Sequence, residues 1–460
     1  MPNPLSRGLF NLFFGARRRG LESLPGPQPG IPLGTAGDFM SGTPAWQVCA
    51  RYGREYGGVT LIWLVGKPAL VLNDPVLIEQ VLDSRRNEFE KGSIREELTP
   101  TTTEHSLFIA RLSGGDWAEK RRGDPMEQPW SEDWNATQVV PMQKAVAESV
   151  AALIKGPPVD LAPALRRLTF DTFAVSAVGE KPPDWLYEDF MLMASGADAR
   201  VQAKLPLKFV SPPKGFEAAR ERYYKYFTEK VRAAREKPDP KAVDLVSRTL
   251  REMPGINDEV MMRIVALMFF GGVFSASTTL VGAFHQLQKY PQAEQRLAAE
   301  ATALARGELT LERLLGAKWV EAVTYEALRI LPAVRLFTRL PLADMDFAGI
   351  KLPAGTTLMI SNQHLQRDPS HWAHPDTFDP SRWLDGGIAR DPLGSGYFFP
   401  FGRGPRACVA LTYSMVFLQT TIATIAANAK VQVESTEPFE EGFFFGVVLP
   451  KGVTTKFIAR

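Results

Sequence analysis

The chain has 460 residues, 45% of them hydrophobic and 23% charged, which is ordinary globular usage and enough to bury a large core around a ligand pocket. Its 53 basic and 51 acidic side chains nearly cancel, which argues against a nucleic-acid protein working through bulk charge. Two cysteines, Cys49 and Cys408, are too few for a disulfide framework or for a Cys-rich zinc or iron–sulfur centre, and they point to a reducing, cytoplasmic setting.

Along the chain, residues 8–16 form a short apolar stretch followed by Arg17, Arg18 and Arg19. It is far below the ~20 residues needed to span a bilayer. Most of its charge follows the apolar run, unlike a secretory signal. Residues 1–23 therefore read as a tail: frayed with a few buried apolar side chains, or in peripheral contact with an anionic membrane. Residues 24–30, rich in Pro and Gly, make a stiff approach to the fold. Residues 59–64 and 69–72 read as a hairpin around Gly66 and Lys67, and Asp74-Pro75 as a helix start. From about residue 117 helices dominate. Residues 183–235 suggest two helices around a Pro-rich loop at 206–214. Residues 258–289 are helix-compatible and apolar on most faces, interrupted only by Gly271, Gly272 and Gly282; such a helix belongs at the centre of a large fold. Another helix is expected over 319–331, and strands at 346–361 and 443–459. The whole predicts a single, mainly helical domain over 24–460 with a small β portion.

The most informative stretch is Phe398 to Cys408, FFPFGRGPRAC. Its glycines and Pro405 predict an irregular loop ahead of a helix over 409–427. A cysteine at a helix N-terminus near arginines has its thiolate favoured, which suits a thiolate-held haem iron. Phe401, Gly404, Arg406 and Cys408 fit F-x-x-G-x-R-x-C. By typical residue usage chance gives that pattern roughly once per thousand chains of this length.

This segment resembles the haem-binding loop of the cytochrome P450 family. Glu326-Ala327-Leu328-Arg329 is similar to the family's E-x-x-R helix, and Phe378-Asp379-Pro380-Ser381-Arg382-Trp383 to its F-x-P-x-R-[FW] segment. The resemblance, covering residue 24 to the C-terminus, implies the P450 fold, haem b as cofactor, and Cys408 as the ligand to the iron. It makes Glu326, Arg329 and Arg382 a structural ion network. It assigns Trp117, Arg121, Arg339 and Arg406 to the haem propionates, and Phe401 and Gly404 to the haem loop. Ala410 departs from the glycine usual two residues after the cysteine, at the cost of one methyl.

The central helix departs further. Counting back from Tyr290-Pro291, the family's oxygen-activation motif falls on Gly271, Gly272, Val273, Phe274 and Ser275. Phe274 stands where an acid is usual and Ser275 where Thr is usual, while Gly271 and Gly272 are expected to open the helix groove for oxygen. A rival register over Ser277, Thr278 and Thr279 sits three residues too close to Tyr290. In the preferred register Thr278 and Thr279 are expected to bond back within the helix.

The resemblance implies a monooxygenase using electrons from NAD(P)H through a separate ferredoxin, flavodoxin or flavin reductase. Lys120, Arg122 and Arg403 are candidates for the face that meets it. The altered helix motif keeps a second class open: a haem-thiolate isomerase, dehydratase or peroxide-dependent enzyme that needs no external electrons. Residues 95–113, 332–338 and 443–445, with Phe269, Phe270 and Phe274, point to an apolar small-molecule substrate. No nucleic-acid partner is expected, and membrane contact is at most peripheral.

Overall fold

The computed structural model describes residues 4–15, 20–31, 33–91, 131–201, 210–384, 396–434, 440–444 and 447–460. Its strands are β1 (Val59–Leu64), β2 (Lys67–Leu72), β3 (Phe89–Lys91), β4 (Val159–Asp160), β5 (Phe337–Pro341), β6 (Met345–Phe347), β7 (Ile350–Leu352), β8 (Thr357–Ile360), β9 (Ala429–Val433), β10 (Glu440–Phe444), β11 (Val447–Lys451) and β12 (Thr454–Ala459).

Helices make up most of the rest. The longest, Asp258–Lys289, begins where the Asn257 side chain accepts the Glu259 N–H (2.8 Å). It ends at Tyr290, where Pro291 opens the next helix, Pro291–Leu304. Proline suits a first helical position because its missing N–H would find no partner there anyway. This central helix is buried along most of its length, as its all-round apolar sequence predicts. Around it pack Leu161–Val178, Asp184–Val201, Phe216–Glu236, Lys318–Ile330 and Leu411–Asn428, with Glu132–Lys155 behind Leu161–Val178 and Leu411–Asn428. Among the described residues it is the one helix long and apolar enough to cross a membrane, and 78% of its most apolar stretch is buried inside the protein.

The expected interruption at Gly271, Gly272 and Gly282 does not occur; the helix runs through all three. Gly272 serves packing instead. A Cβ there would lie 2.3 Å from a ring carbon of Phe173 on Leu161–Val178, so the absent side chain lets the two helices approach.

The largest sheet has the order β1-β2-β8-β5-β3, with β2 and β8 parallel and its other pairs antiparallel. A second core lies against it, built from Trp63, Leu70, Leu72, Phe89, Leu358 and neighbours. The predicted hairpin forms, but its turn is Val65-Gly66, because Lys67 already pairs with Leu64. Both turn residues have positive φ, 50° and 74°, as a two-residue hairpin turn of this hand requires. Asp74 begins a short helix as expected, accepting the Val76 and Leu77 N–H groups.

The N-terminal segment is not a frayed tail over its described part. Pro4–Phe14 is a helix, and Phe10, 1% exposed, joins the core under the sheet.

Candidate active site

The cysteine loop is built from backbone hydrogen bonds. Gly402 N–H donates to Phe399 O (2.9 Å), Ala407 N–H to Gly404 O (2.9 Å) and Cys408 N–H to Phe401 O (2.8 Å). Gly404 meets two demands. Its φ is 68°, a conformation that favours glycine, and a Cβ there would lie 2.1 Å from the Leu82 carbonyl oxygen. The loop can therefore lie against the turn Gln80–Ser84 only if residue 404 has no side chain. Phe401 is half-buried and packs against the main core.

Cys408 is solvent-accessible. Protein nevertheless surrounds the thiol so closely that desolvation pushes its pKa up, against a smaller downward pull from the Ala410 N–H. A side chain both accessible and enclosed lines an interior space. The sequence favours a thiolate here, but the protein's own groups favour the thiol. The helix begins only at Leu411, and burial outweighs the hydrogen bond. A metal ion at the sulfur would favour the thiolate against that desolvation. Cys49 differs: it is fully buried, and desolvation pushes its thiol up to about 12.

The E-x-x-R pair sits on Lys318–Ile330. Glu326 and Arg329 are both wholly buried. Arg329 Nε and Nη2 donate to the Glu326 carboxylate at 2.8 and 2.7 Å. The carboxylate also accepts from the Asp379 N–H (2.8 Å), Arg382 Nε (3.2 Å) and Trp383 Nε1 (2.9 Å). Arg329 spends its other hydrogens on the carbonyls of Gln366, Pro375 and Thr377. All five Arg329 N–H groups are used, and the carboxylate accepts five bonds, which is the geometry of a scaffold joint.

A second charged group forms where β3 meets β5. In that register Lys91 lies opposite Arg339, and Arg406 Nη2 donates to Glu90 Oε1 at 3.0 Å. Burial, followed by repulsion from Arg339 and Arg406, lowers the Lys91 pKa to about 8, with Glu90 opposing. Burial and Arg406 likewise lower Arg339 to about 10. Three cationic side chains thus meet in a desolvated place, with Glu90 opposing part of their mutual repulsion. A ligand carrying two carboxylates relieves that cost, because Arg and Lys pair with carboxylates in charge-assisted bonds. Haem, with its two propionates, fits both features: an enclosed accessible thiol and a cationic cluster starting two residues from it. Lys91 was not foreseen from sequence; only strand pairing brings it to Arg339. Trp117, Arg121, Lys120, Arg122 and the 95–113 segment lie outside the described residues. Arg403 is half-buried in the cysteine loop.

On the central helix, Leu267, Gly271, Gly272 and Ser275 are only partly buried among buried neighbours. Leu267, Gly271 and Ser275 are spaced at i, i+4 and i+8 and share one face. The Ser275 hydroxyl lies 3.0 Å from Gly271 O and 3.1 Å from Gly272 O, donating within the helix. Phe274 turns away. Its ring is 1% exposed, stacks on Phe190 at 5.4 Å and lies under Arg166 at 5.5 Å. Phe269 and Phe270 are equally buried, in an aromatic cluster with Phe170, Phe190 and Phe227. These three phenylalanines are core and not pocket wall, because side chains this buried have no surface to offer a ligand. Of the rival trio, Ser277 bonds to Phe274 O and Thr279 to Ser275 O. Thr278, expected to bond within the helix, instead donates to Val448 O of β11 at 2.7 Å. All three are buried, while Ser275 stays on the accessible stripe.

Comparison with known proteins gives a consistent result. The cytochrome P450 family model matches residues 24–456. A Streptomyces melanosporofaciens cyclooctat-9-en-7-ol 5-monooxygenase is 28% identical over 395 residues, 82% of this chain and 83% of that protein. A Streptomyces avermitilis pentalenene oxygenase is 29% identical over 209 residues, 45% of this chain and 44% of that protein. Among solved structures, a cytochrome P450DA heme domain superposes with a TM-score of 0.81 at 17% identity, covering 95% of this chain and 97% of that one.

Proposed function

The chain belongs to the cytochrome P450 family of haem-containing, oxygen-incorporating oxidoreductases, and from that premise we propose that it is a monooxygenase acting on an apolar small molecule with electrons from a separate ferredoxin, flavodoxin or flavin reductase. The observation that carries this reading is Cys408: an accessible thiol in an enclosed space, with a cationic cluster beginning two residues away. When bound, haem b supplies the oxygen-activating chemistry, tuned by electron donation from its thiolate ligand.

The chain's own residues have separable tasks in this proposal. Cys408 Sγ holds the iron. Arg406, Arg339 and Lys91 hold the propionates and fix the ring's orientation. Gly271 and Ser275 stand on the partly accessible stripe of the central helix, where they would border the space over the haem. Ser275 holds a proton at its Oγ and exchanges it with water or with a polar group on the substrate; Phe274 carries no ionisable proton. The names of the two Streptomyces relatives speak of cyclooctat-9-en-7-ol, an unsaturated alcohol, and of pentalenene, which supports an apolar substrate for this chain. The cytoplasm is its proposed setting.

The test is spectral and then kinetic. Cys408→Ser should lose the thiolate-type spectrum of the reduced carbon monoxide complex while Cys49→Ser keeps it. Product formation should need dioxygen, NAD(P)H and a reductase. One observation favours a second reading: Phe274 is buried core, so no carboxylate stands at that turn of the helix. Full turnover without dioxygen or reductant would select the electron-independent isomerase, dehydratase or peroxide-using class instead.

A further inference from the structure

The helix Pro4–Phe14 has two apolar faces, and the fold covers one of them. Ser6, Phe10 and Phe14, at i, i+4 and i+8, lie along the inner face. The Ile31 N–H donates to Ser6 Oγ at 2.9 Å, and the Phe10 ring meets Trp63 edge-on at 5.1 Å. Leu5, Leu9, Leu12 and Phe13, at i, i+4, i+7 and i+8, lie along the outer face. They are 74%, 40%, 77% and 66% exposed. The inner contacts hold the helix on the sheet, so the outer residues cannot rotate inward to find cover.

The hairpin tip extends the same patch. A Cβ on Gly66 would lie 2.4 Å from the Phe14 ring, so the β1–β2 turn touches this helix. At its tip Val65 is 62% exposed with φ 50°. Such turns favour Asn, Asp or Gly, and a β-branched residue is strained there. An apolar side chain is therefore kept at the tip against both its turn preference and its solvation. Lys67 beside it is exposed.

The charge carried by this part of the sequence selects the occupant. The sequence carries Arg7, Arg17, Arg18 and Arg19, and its first acidic residue is Glu22. A basic segment facing a second copy of itself would be repelled; a surface of anionic lipid would attract it. Eleven residues of helix span roughly 16 Å, about half a hydrocarbon core of ~30 Å, so the helix lies in the interface plane. We propose that Leu5, Leu9, Leu12, Phe13 and Val65 form a docking face that dips into an anionic bilayer surface, leaving the rest of the domain above it.

The experiment uses the full haem-loaded chain with phosphatidylcholine vesicles, with and without phosphatidylglycerol. Cosedimentation should be strong with the anionic vesicles, weak with the neutral ones, and reduced by added salt. Leu5→Asp with Leu12→Asp changes two outer residues outside both apolar cores. It should leave haem content, the reduced carbon monoxide spectrum and turnover unchanged. It should weaken binding to anionic vesicles by roughly a hundred-fold or more, the expected effect of losing two large buried apolar side chains. The proposal falls if the parent chain stays in the supernatant with both vesicles, or if the double variant sediments equally well. It falls equally if ultracentrifugation shows a dimer that the double variant abolishes while neither form binds lipid; a second copy would then be the occupant.

Discussion

Replacing Glu326 by Ala should unfold the scaffold behind the site before it touches the chemistry. The wholly buried carboxylate accepts five donors: two from Arg329 and one each from Asp379, Arg382 and Trp383. Alanine leaves all five without it and leaves the Arg329 charge buried with carbonyl partners alone. Breaking a buried pair in this way costs about 3–5 kcal/mol, a large share of the ~5–15 kcal/mol that holds a native domain. Arg382 is a different case. It is 13% exposed by side chain and reaches Glu326 through one hydrogen bond of 3.2 Å, so Arg382→Ala should cost about 1.5–3 kcal/mol, the range for a bond to a charged group. The assay is the denaturant midpoint followed by tryptophan fluorescence, with haem content measured on the same samples. Glu326→Ala should give the lower midpoint and the poorer haem loading. If Glu326→Ala kept a normal midpoint and normal haem content and lost only turnover, the structural assignment of this network would be wrong.

Two further outcomes follow from the site. Lys91→Met should lower haem affinity below pH 8, where Lys91 is charged in the protein's own field. Propionates raise its pKa, so the parent's advantage over the variant should be constant below about 8 and shrink as pH rises above it. Haem transfer to an acceptor globin across pH reads that ratio, and a ratio that does not change with pH would remove Lys91 from the propionate site. Ser275→Ala should yield less product per NAD(P)H consumed and more peroxide, since it removes the hydroxyl on the accessible helix face; unchanged coupling would assign proton delivery to the substrate.

What was legible in the sequence is what chemistry writes locally. Glu326 and Arg329 lie one helical turn apart, so their pairing needs only a helix. Cys408 and Gly404 belong to one loop of fixed spacing. The central helix was legible from its mostly apolar composition over 258–289, and the helix has those bounds. What the sequence missed or misread depends on partners far along the chain. Lys91 meets Arg339 only through the β3–β5 pairing. Thr278 reaches Val448, 170 residues on, an option that a helix pattern does not display. Gly272 looked like room for oxygen because its real neighbour, Phe173, comes from another helix.

Phe274 carries the sharpest lesson about direction. Position in a motif predicts which residue stands at a helix turn, whereas the packing decides what it faces. Ser275 and Phe274 are adjacent, so their side chains leave the helix about 100° apart. The accessible stripe takes Leu267, Gly271 and Ser275; the next face takes Phe270 and Phe274 into the aromatic core with Phe190. A carboxylate at 274 would sit among those rings with Arg166 above it, and burying it would be costly without a full set of partners. Phenylalanine at 274 therefore stabilises the core at the point where the family usually keeps an acid. Under the proposed function, proton supply on that face would then fall to Ser275, to water and to whatever polar group the substrate brings.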